Sequence, residues 1–289
     1  MLVQQIINGL MLGVTYSLLA LGFSMIFGVL SFINFAHGAV SVFGAYVAWY
    51  AMTKWGISVP LSILLAIIAS IILGVLIERI GYKPIRKADP IAAIIVSIGF
   101  SFIIVTITQI IWGTRSHTMS IFGSTKYIEI GNVIFSSAQL LIFLISVVIM
   151  IALTMFINRT KMGLAIRAIS LDKDTSGLMG VNVNRLISIT FALGSTLGTI
   201  SAILMAAIYG AIYPTMGAVV GTKGFAAVVL GGAGSIPGAM IGGILIGVIE
   251  SLAGTIFNAQ IKDAVAFIVL IVVLIIKPAG LLIKGITKE

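Results

Sequence analysis

IAAIIVSIGFSFIIVTITQIIWG, residues 91–113, continues for roughly six helical turns without one charged side chain. Crossing the hydrocarbon of a bilayer takes about 20 consecutive apolar residues, so this stretch reads as a membrane-spanning helix. Working outward from it, runs of the same kind lie at 5–30, 39–53, 59–78, 138–158, 186–209 and 263–276. Between the last two is a Gly-rich apolar stretch, 212–253, interrupted by GGAGSIPG at 231–238. It reads either as two crossings or as two half-helices meeting inside the membrane. The expected fold is an all-α polytopic integral membrane protein, one domain over residues 1–289. Eight spans are expected in round number, nine if the broken stretch crosses twice.

Composition excludes the other classes. The chain has 17 Lys or Arg against 8 Asp or Glu, 60% hydrophobic residues and a mean hydropathy of +1.24. Only 9% of residues are charged, where a soluble domain carries about 25%. A soluble, disordered or nucleic-acid-binding chain could not be dispersed by so few charges. The net charge of +9 has a plainer cause, because Lys and Arg gather in cytoplasmic loops. Arg79, Lys83, Arg86 and Lys87 share one loop, and Arg159, Lys161, Arg167, Lys173 and Arg185 another, while Lys277, Lys284 and Lys288 are C-terminal. Parity lets all three groups lie inside, which places the N-terminus outside and the C-terminus in the cytoplasm. Loop 114–137 then falls outside, with a strand or hairpin expected around Tyr127, Ile128, Glu129 and Ile130. The N-terminus lacks the basic region and cleavage site of a signal peptide, so the first run is expected to remain as a span.

Catalysis has no residues to stand on. The chain has no Cys, which removes thiolate chemistry and Cys-ligated metals. No cluster has metal-ligand spacing, no cofactor is expected, and no G-x-x-x-x-G-K-[ST] phosphate loop occurs. Gly232-x-Gly234-x-x-x-Gly238 imitates a dinucleotide fingerprint, but Pro237 interrupts the expected helix start and no second strand precedes Glu250.

Two segments break the rule that a membrane helix is uniformly apolar. One contains Asn34, Phe35, His37 and Gly38; the other contains Gly231, Gly232, Gly234, Ser235, Pro237 and Gly238. Irregular backbone at membrane depth survives only under protein cover or beside an aqueous cavity, and in transporters such breaks mark the substrate path. A tight turn at the membrane surface is the competing reading, and for His37 a hydrogen-bonded structural role. Both segments lead into small-residue helices suited to close packing.

The loop 159–185 is helix-compatible. Ala165, Ala168, Asp172, Ser176 and Met179 follow 3–4 spacing, and Gly180 is placed to end the helix. It reads as an amphipathic surface helix or as a docking helix for a cytoplasmic partner.

INFAHG at 33–38 continuing into GAYVA at 44–48, the 159–185 loop, and GTKGFAAVVLGGAGSIPGAMIGGILIGVIE at 221–250 resemble the membrane-spanning subunits of branched-chain amino-acid ABC importers. A weaker block, ERIGYKPIRKADPIAAIIVSIG at 78–99, adds to the resemblance. It implies a permease in the cytoplasmic membrane that pairs with a second, related permease, two ATPase subunits and an extracytoplasmic binding protein. ATP hydrolysis would occur on the separate ATPases, and the substrate would be leucine, isoleucine or valine. Arg167, Ala168, Asp172, Ser176, Met179 and Gly180 would form the ATPase-coupling loop, although Arg167-Ala168 leading to Asp172 departs from the Glu-Ala-Ala…Gly consensus of many importers. Permeases for urea and short amides look similar; an ion-coupled secondary transporter is the rival from another class. Lys223 and Glu250, charged residues within apolar runs, are expected to pair, as a structural clamp or as a polar spot for a zwitterion.

Overall fold

Helix α1 (Leu2–Leu30) is apolar on every side, and 83% of its most apolar window is buried by other helices. An all-round apolar helix is either a membrane span facing lipid or a buried helix, and cover by its neighbours makes α1 the buried kind. In the computed structural model, which describes residues 2–86, 88–122, 126–130, 133–256, 261–277 and 280–281, α1 is the central post. Lys87, Lys284 and Lys288, counted above for orientation, lie outside the described residues.

Around α1 stand α2 (Ala36–Thr53), α3 (Val59–Ile77), α5 (Pro90–Trp112), α6 (Ser137–Arg159), α9 (Val183–Tyr209), α10 (Met216–Gly231), α11 (Ile236–Ile256) and α12 (Ile261–Ile276). Including α1, nine apolar helices of 16 residues or more occur among the described residues, in keeping with the expected eight to nine spans. Helix α3 continues through a π-helical turn (Glu78–Tyr82) into a last turn, α4 (Lys83–Ile85). Local chemistry sets several ends. Asp89 accepts a hydrogen bond from Ile91 N ahead of Pro90, and Ser136 with Gln139 forms a capping box for α6. Gly210, in the left-handed region at φ 67°, closes α9.

The stretch 212–253 folds as two helices zipped together in opposite directions. At about 24 Å, α10 is shorter than the hydrocarbon layer, whereas α11 reaches about 32 Å. Strand β2 (Tyr127–Ile130) pairs antiparallel with β3 (Val133–Ser136), as the alternation around Tyr127 predicts. A second small sheet joins β1 (His117–Thr118) to β4 (Ala211–Ile212).

The tightest packing is glycine against glycine. Helix α1 packs most extensively on α11, with Gly9 and Gly13 facing Gly243 and Gly247. A Cβ on Gly13 would lie 2.7 Å from Ile244 Cα, so backbone touches backbone here. Lipid tails give helices no hydrophobic reason to associate, and close van der Waals approach of small residues takes that role.

Contacts sort the connections between two ends. At one, Asn34 meets Tyr82, Arg86 meets Asn184, and Leu281 N donates to Leu230 O. At the other, Gln4 binds Ile134 through two hydrogen bonds and Trp49 Nε1 donates to Thr118 O. Arg79, Lys83, Arg86, Lys173 and Arg185 all gather at the first end.

Candidate functional site

Deep in the bundle, Lys223 of α10 and Glu250 of α11 face each other. Lys223 Nζ lies 2.8 Å from Glu250 Oε1, and both residues are under 5% exposed. Tyr16 of α1 donates to Glu250 Oε2 at 2.9 Å, Lys223 Nζ is 3.4 Å from the Tyr16 hydroxyl, and Tyr209 OH is 3.2 Å from it. Sequence reading pairs the two charges but misses both tyrosines. An apolar helix gives no periodic signal for a phenol more than 200 residues from its partner. Each carboxylate oxygen has a donor, and the ammonium sits 5.6 Å from the Tyr16 ring centroid.

The two helix breaks are tighter than the sequence suggests. Only residues 31–35 leave the helix at the first, and His37 and Gly38 already belong to α2. Ser31, at φ 63°, is the one non-glycine residue in the left-handed region among the described residues. Asn34 Oδ1 accepts from Ala36 N (3.1 Å) and from Tyr82 OH (2.7 Å), which fixes the turn. His37 is buried, edge-on to Phe23 at 4.5 Å, and fits where Gly22 and Gly198 leave room. Gly38 is pressed against Gly217 of α10. At the second break, 232–235 form the turn, Gly232 (φ 102°) and Gly234 (φ 85°) adopting backbone that a side chain would strain. Gly231 and Gly238 touch across it, and Gly234 approaches Gly28, so the two breaks share one end of the bundle. Of the residues singled out from sequence at the two breaks, Gly234 and Pro237 are exposed, Phe35 and Ser235 are half-buried, and Asn34, His37, Gly38, Gly231, Gly232 and Gly238 are buried; Ser31 is exposed.

The loop 159–185 is not one helix. Asp172 divides α7 (Lys161–Leu171) from α8 (Lys173–Leu178), adopting φ −153° and ψ 116° as the cap of α8. This corrects the single-face reading of Ala165, Ala168, Asp172, Ser176 and Met179. Asp is more stable as an N-cap than in a helix interior, and here it accepts from Asp174 N and Thr175 N. The Thr175 hydroxyl, donating to Asp172 Oδ2 at 2.6 Å, holds the carboxyl below its ordinary range, with help from those amides. Ser176 is buried and donates back to Asp172 O. Gly180, at φ 84°, follows the end of α8 as expected. Arg167 is exposed, Ala168 half-buried, and Leu171, Leu178 and Met179 are 89%, 88% and 81% exposed. The elbow therefore presents bare apolar side chains at the basic end.

A third group was not foreseen from sequence. Glu78, buried in the π turn, takes Arg86 Nη2 on Oε1 and the Ser188 hydroxyl on Oε2 (2.7 Å). Arg86 Nη1 donates to Asn184 Oδ1 at 2.6 Å, locking α4 to the start of α9.

The sequence profile described as "Branched-chain amino acid transport system / permease component" matches residues 5–274. The high-affinity branched-chain amino acid transport system permease protein BraD of Pseudomonas aeruginosa is 40% identical over 96% of this chain and 95% of its own length. The corresponding permease protein LivH of Escherichia coli is 36% identical over 96% and 94%. Among solved structures, PsaBC from Streptococcus pneumoniae in complex with Fab superposes with a TM-score of 0.52 at 14% identity, covering 94% of this chain and 91% of that one. That likeness is of fold alone. With nearly the whole length matched to family and relatives, the chain belongs to the permease components of branched-chain amino acid transport systems.

Proposed function

We propose that this permease forms, with a second related permease, a membrane path for leucine, isoleucine and valine, driven by ATP hydrolysis on separate cytoplasmic subunits. The α7–α8 elbow carries this reading. Leu171, Leu178 and Met179 are left uncovered by the chain beside the basic loops, and a cluster of exposed apolar side chains next to charged loops suits a partner's surface. On this reading the basic end lies in the cytoplasm and the N-terminus with the β2–β3 hairpin outside, where a binding protein delivers substrate, because Lys and Arg gather on the cytoplasmic side of membrane proteins. The relatives' names supply the substrate class. The turns at 31–35 and 232–235 flank the inner mouth of the path, with Phe35, Gly234 and Pro237 among the residues there that are exposed or half-buried.

Proteoliposomes holding both permeases and the ATPase pair should take up leucine when ATP and the binding protein are supplied, and this chain alone should take up none. Leucine uptake by the chain alone, driven by an ion gradient, would overturn the reading; uptake of urea or short amides without leucine would overturn the substrate. In the same vesicles, single cysteines at Phe35, Gly234 and Pro237, in a chain otherwise without Cys, should react with polar thiol reagents at rates that change on trapping ATP. Unchanged rates at all three would remove the turns from the path.

A further inference from the structure

At the basic end, a groove of about 520 Å³ opens between α3 and α9. Four cations line it, Arg79, Lys83, Arg86 and Arg185, against one carboxylate, Glu78. That carboxylate is fully engaged by Arg86 and Ser188. Among the described residues, Arg79, Lys83 and Arg185 have no carboxylate within ion-pair distance, and the buried Arg86 Nε has no hydrogen-bond partner. Lys83 and Arg86 also border a neighbouring hollow of about 1000 Å³ that contains Lys173. Burial, and then the nearby Arg86 charge, push the Lys173 ammonium below its usual range. In the groove four cations face one carboxylate that is already taken, and the hollow beside it adds Lys173 with one further carboxylate, Asp174; the cations still outnumber their counter-charges and make a site for an anion.

The groove's other wall says which anion. Val75, Ile189 and Ala192 continue it toward the middle of the helices, and Ile72 and Leu76 on α3 and Ile80 in the π turn stand exposed. The helical segments Val59–Ile85 and Val183–Tyr209 are each 27 residues, about 40 Å, against a hydrocarbon layer of about 30 Å. Their basic ends therefore stand in the headgroup layer while Val75 and Ala192 lie at acyl-chain depth. We propose that this groove binds an anionic glycerophospholipid, its phosphodiester on Arg79, Lys83, Arg86 and Arg185 and an acyl chain along Val75, Ile189 and Ala192. An acidic segment of a partner protein would satisfy the cations but would leave the apolar half bare. The π turn has a part in this: with Glu78 paired to Arg86 and Arg86 to Asn184, Arg79 of the π turn and Lys83 of α4 are set opposite Arg185. Occupied, the site would tie the α3–α5 connection to the start of α9, which follows directly on the α7–α8 elbow. The site assignment rests on membrane insertion, and only the choice of leaflet rests on the orientation proposed above.

The test uses the assembled importer, purified in mild detergent and examined by native mass spectrometry and thermal unfolding. Dioleoylphosphatidylglycerol should bind and raise the unfolding temperature, whereas phosphatidylcholine should do neither. Arg79→Gln, Lys83→Gln and Arg185→Gln should each weaken binding about fivefold at low salt, in line with ~1 kcal/mol per cation near an anionic surface. Ala192→Trp, which keeps every charge but fills the acyl half, should weaken binding as well. The pair Arg115→Gln and Lys126→Gln, at the opposite end, should bind as the parent does. Equal stabilisation by inorganic phosphate alone, with Ala192→Trp without effect, would overturn the lipid in favour of a free anion. Unchanged lipid binding in all the groove variants would overturn the site. Unchanged lipid binding accompanied by loss of the ATPase subunits would assign the cations to a protein partner instead. Because lipid binding is read without transport, failure of the proposed substrate would leave this result standing.

Discussion

Both carboxylate oxygens of Glu250 are occupied, one by an ammonium and one by a phenol, and both charged residues are buried. Glu250→Gln strands the Lys223 charge, and Lys223→Met strands the carboxylate. Removing one partner of a buried pair costs roughly 3–5 kcal/mol, most of it the desolvation of the charge left behind. Each single variant should therefore lower the yield and unfolding temperature of the purified permease, and the double variant should recover most of both. Tyr16→Phe removes one hydrogen bond to a charged acceptor, about 1.5–3 kcal/mol, and should fall between parent and singles. Intact folding in the singles together with abolished uptake would favour the polar spot for substrate over the clamp. Sequence reading reached the two charges because each stands out in an apolar run. It could not reach Tyr16 or Tyr209, whose rings are at home anywhere in a membrane protein and whose pairing depends on tertiary approach. Glu78 escaped for another reason: at the end of a span, beside four cations, it looks solvated until the π turn is seen to bury it.

Among elements, the elbow between α7 and α8 is one whose integrity a proton can change. Asp172 caps α8 as an anion, its folded value held below the unfolded one by the Thr175 hydroxyl and the following amides. The sign follows: the cap is fully present above the ordinary carboxylate range of about 4 and is lost as pH falls through the lowered folded value. In hydrogen exchange on the full-length permease, corrected for intrinsic rates, amides 173–179 should lose protection at the acid end while those of α7 keep theirs. Asp172→Ala should exchange fast in α8 at every pH. Equal protection in parent and variant would mean the cap does not hold α8. The elbow also marks the limit of periodicity as a guide. The 3–4 pattern from Ala165 to Met179 is continuous in sequence, yet a residue that competes for backbone amides divides it. By contrast, Gly180, the β2–β3 hairpin and the helix starts at Asp89 and Ser136 follow from short-range chemistry, and the hairpin and the glycine stop were foreseen for that reason.

At the scale of the molecule, the bundle is held where backbones touch. Gly13→Leu should push α1 off α11, since even a Cβ there would lie 2.7 Å from Ile244 Cα, and little monodisperse permease should be recovered. Gly99 on α5 has nothing within 4 Å of an added Cβ, so Gly99→Ala should fold normally and gain about 0.5–1 kcal/mol from helix propensity. Comparing recovery of the two variants by size-exclusion chromatography checks the argument; equal recovery would refute it. The number of spans and the gathering of cations at one end were legible because hydrocarbon thickness and charge placement are one-dimensional constraints. Which helix occupies the centre was not, because glycines say that something comes close without saying what.

The central position of α1 has a consequence in time. Among the helices described, α1 leaves the ribosome first, but the surfaces that cover it belong mainly to α9 and α11, about 150–230 residues later. At 5–20 residues per second this is a delay of roughly 10–40 s. Throughout that interval Tyr16 and Ser24, whose partners on α10, α11 and the turn between them are not yet made, must wait at the insertion machinery or in bare lipid, while Ser17 keeps only its bond to Gly13 O of the same helix. The walls thus close around a post already standing, and a ribosome that stalls before α11 leaves behind a helix with Tyr16 and Ser24 short of those partners, a mark by which membrane quality control can recognise an unfinished chain.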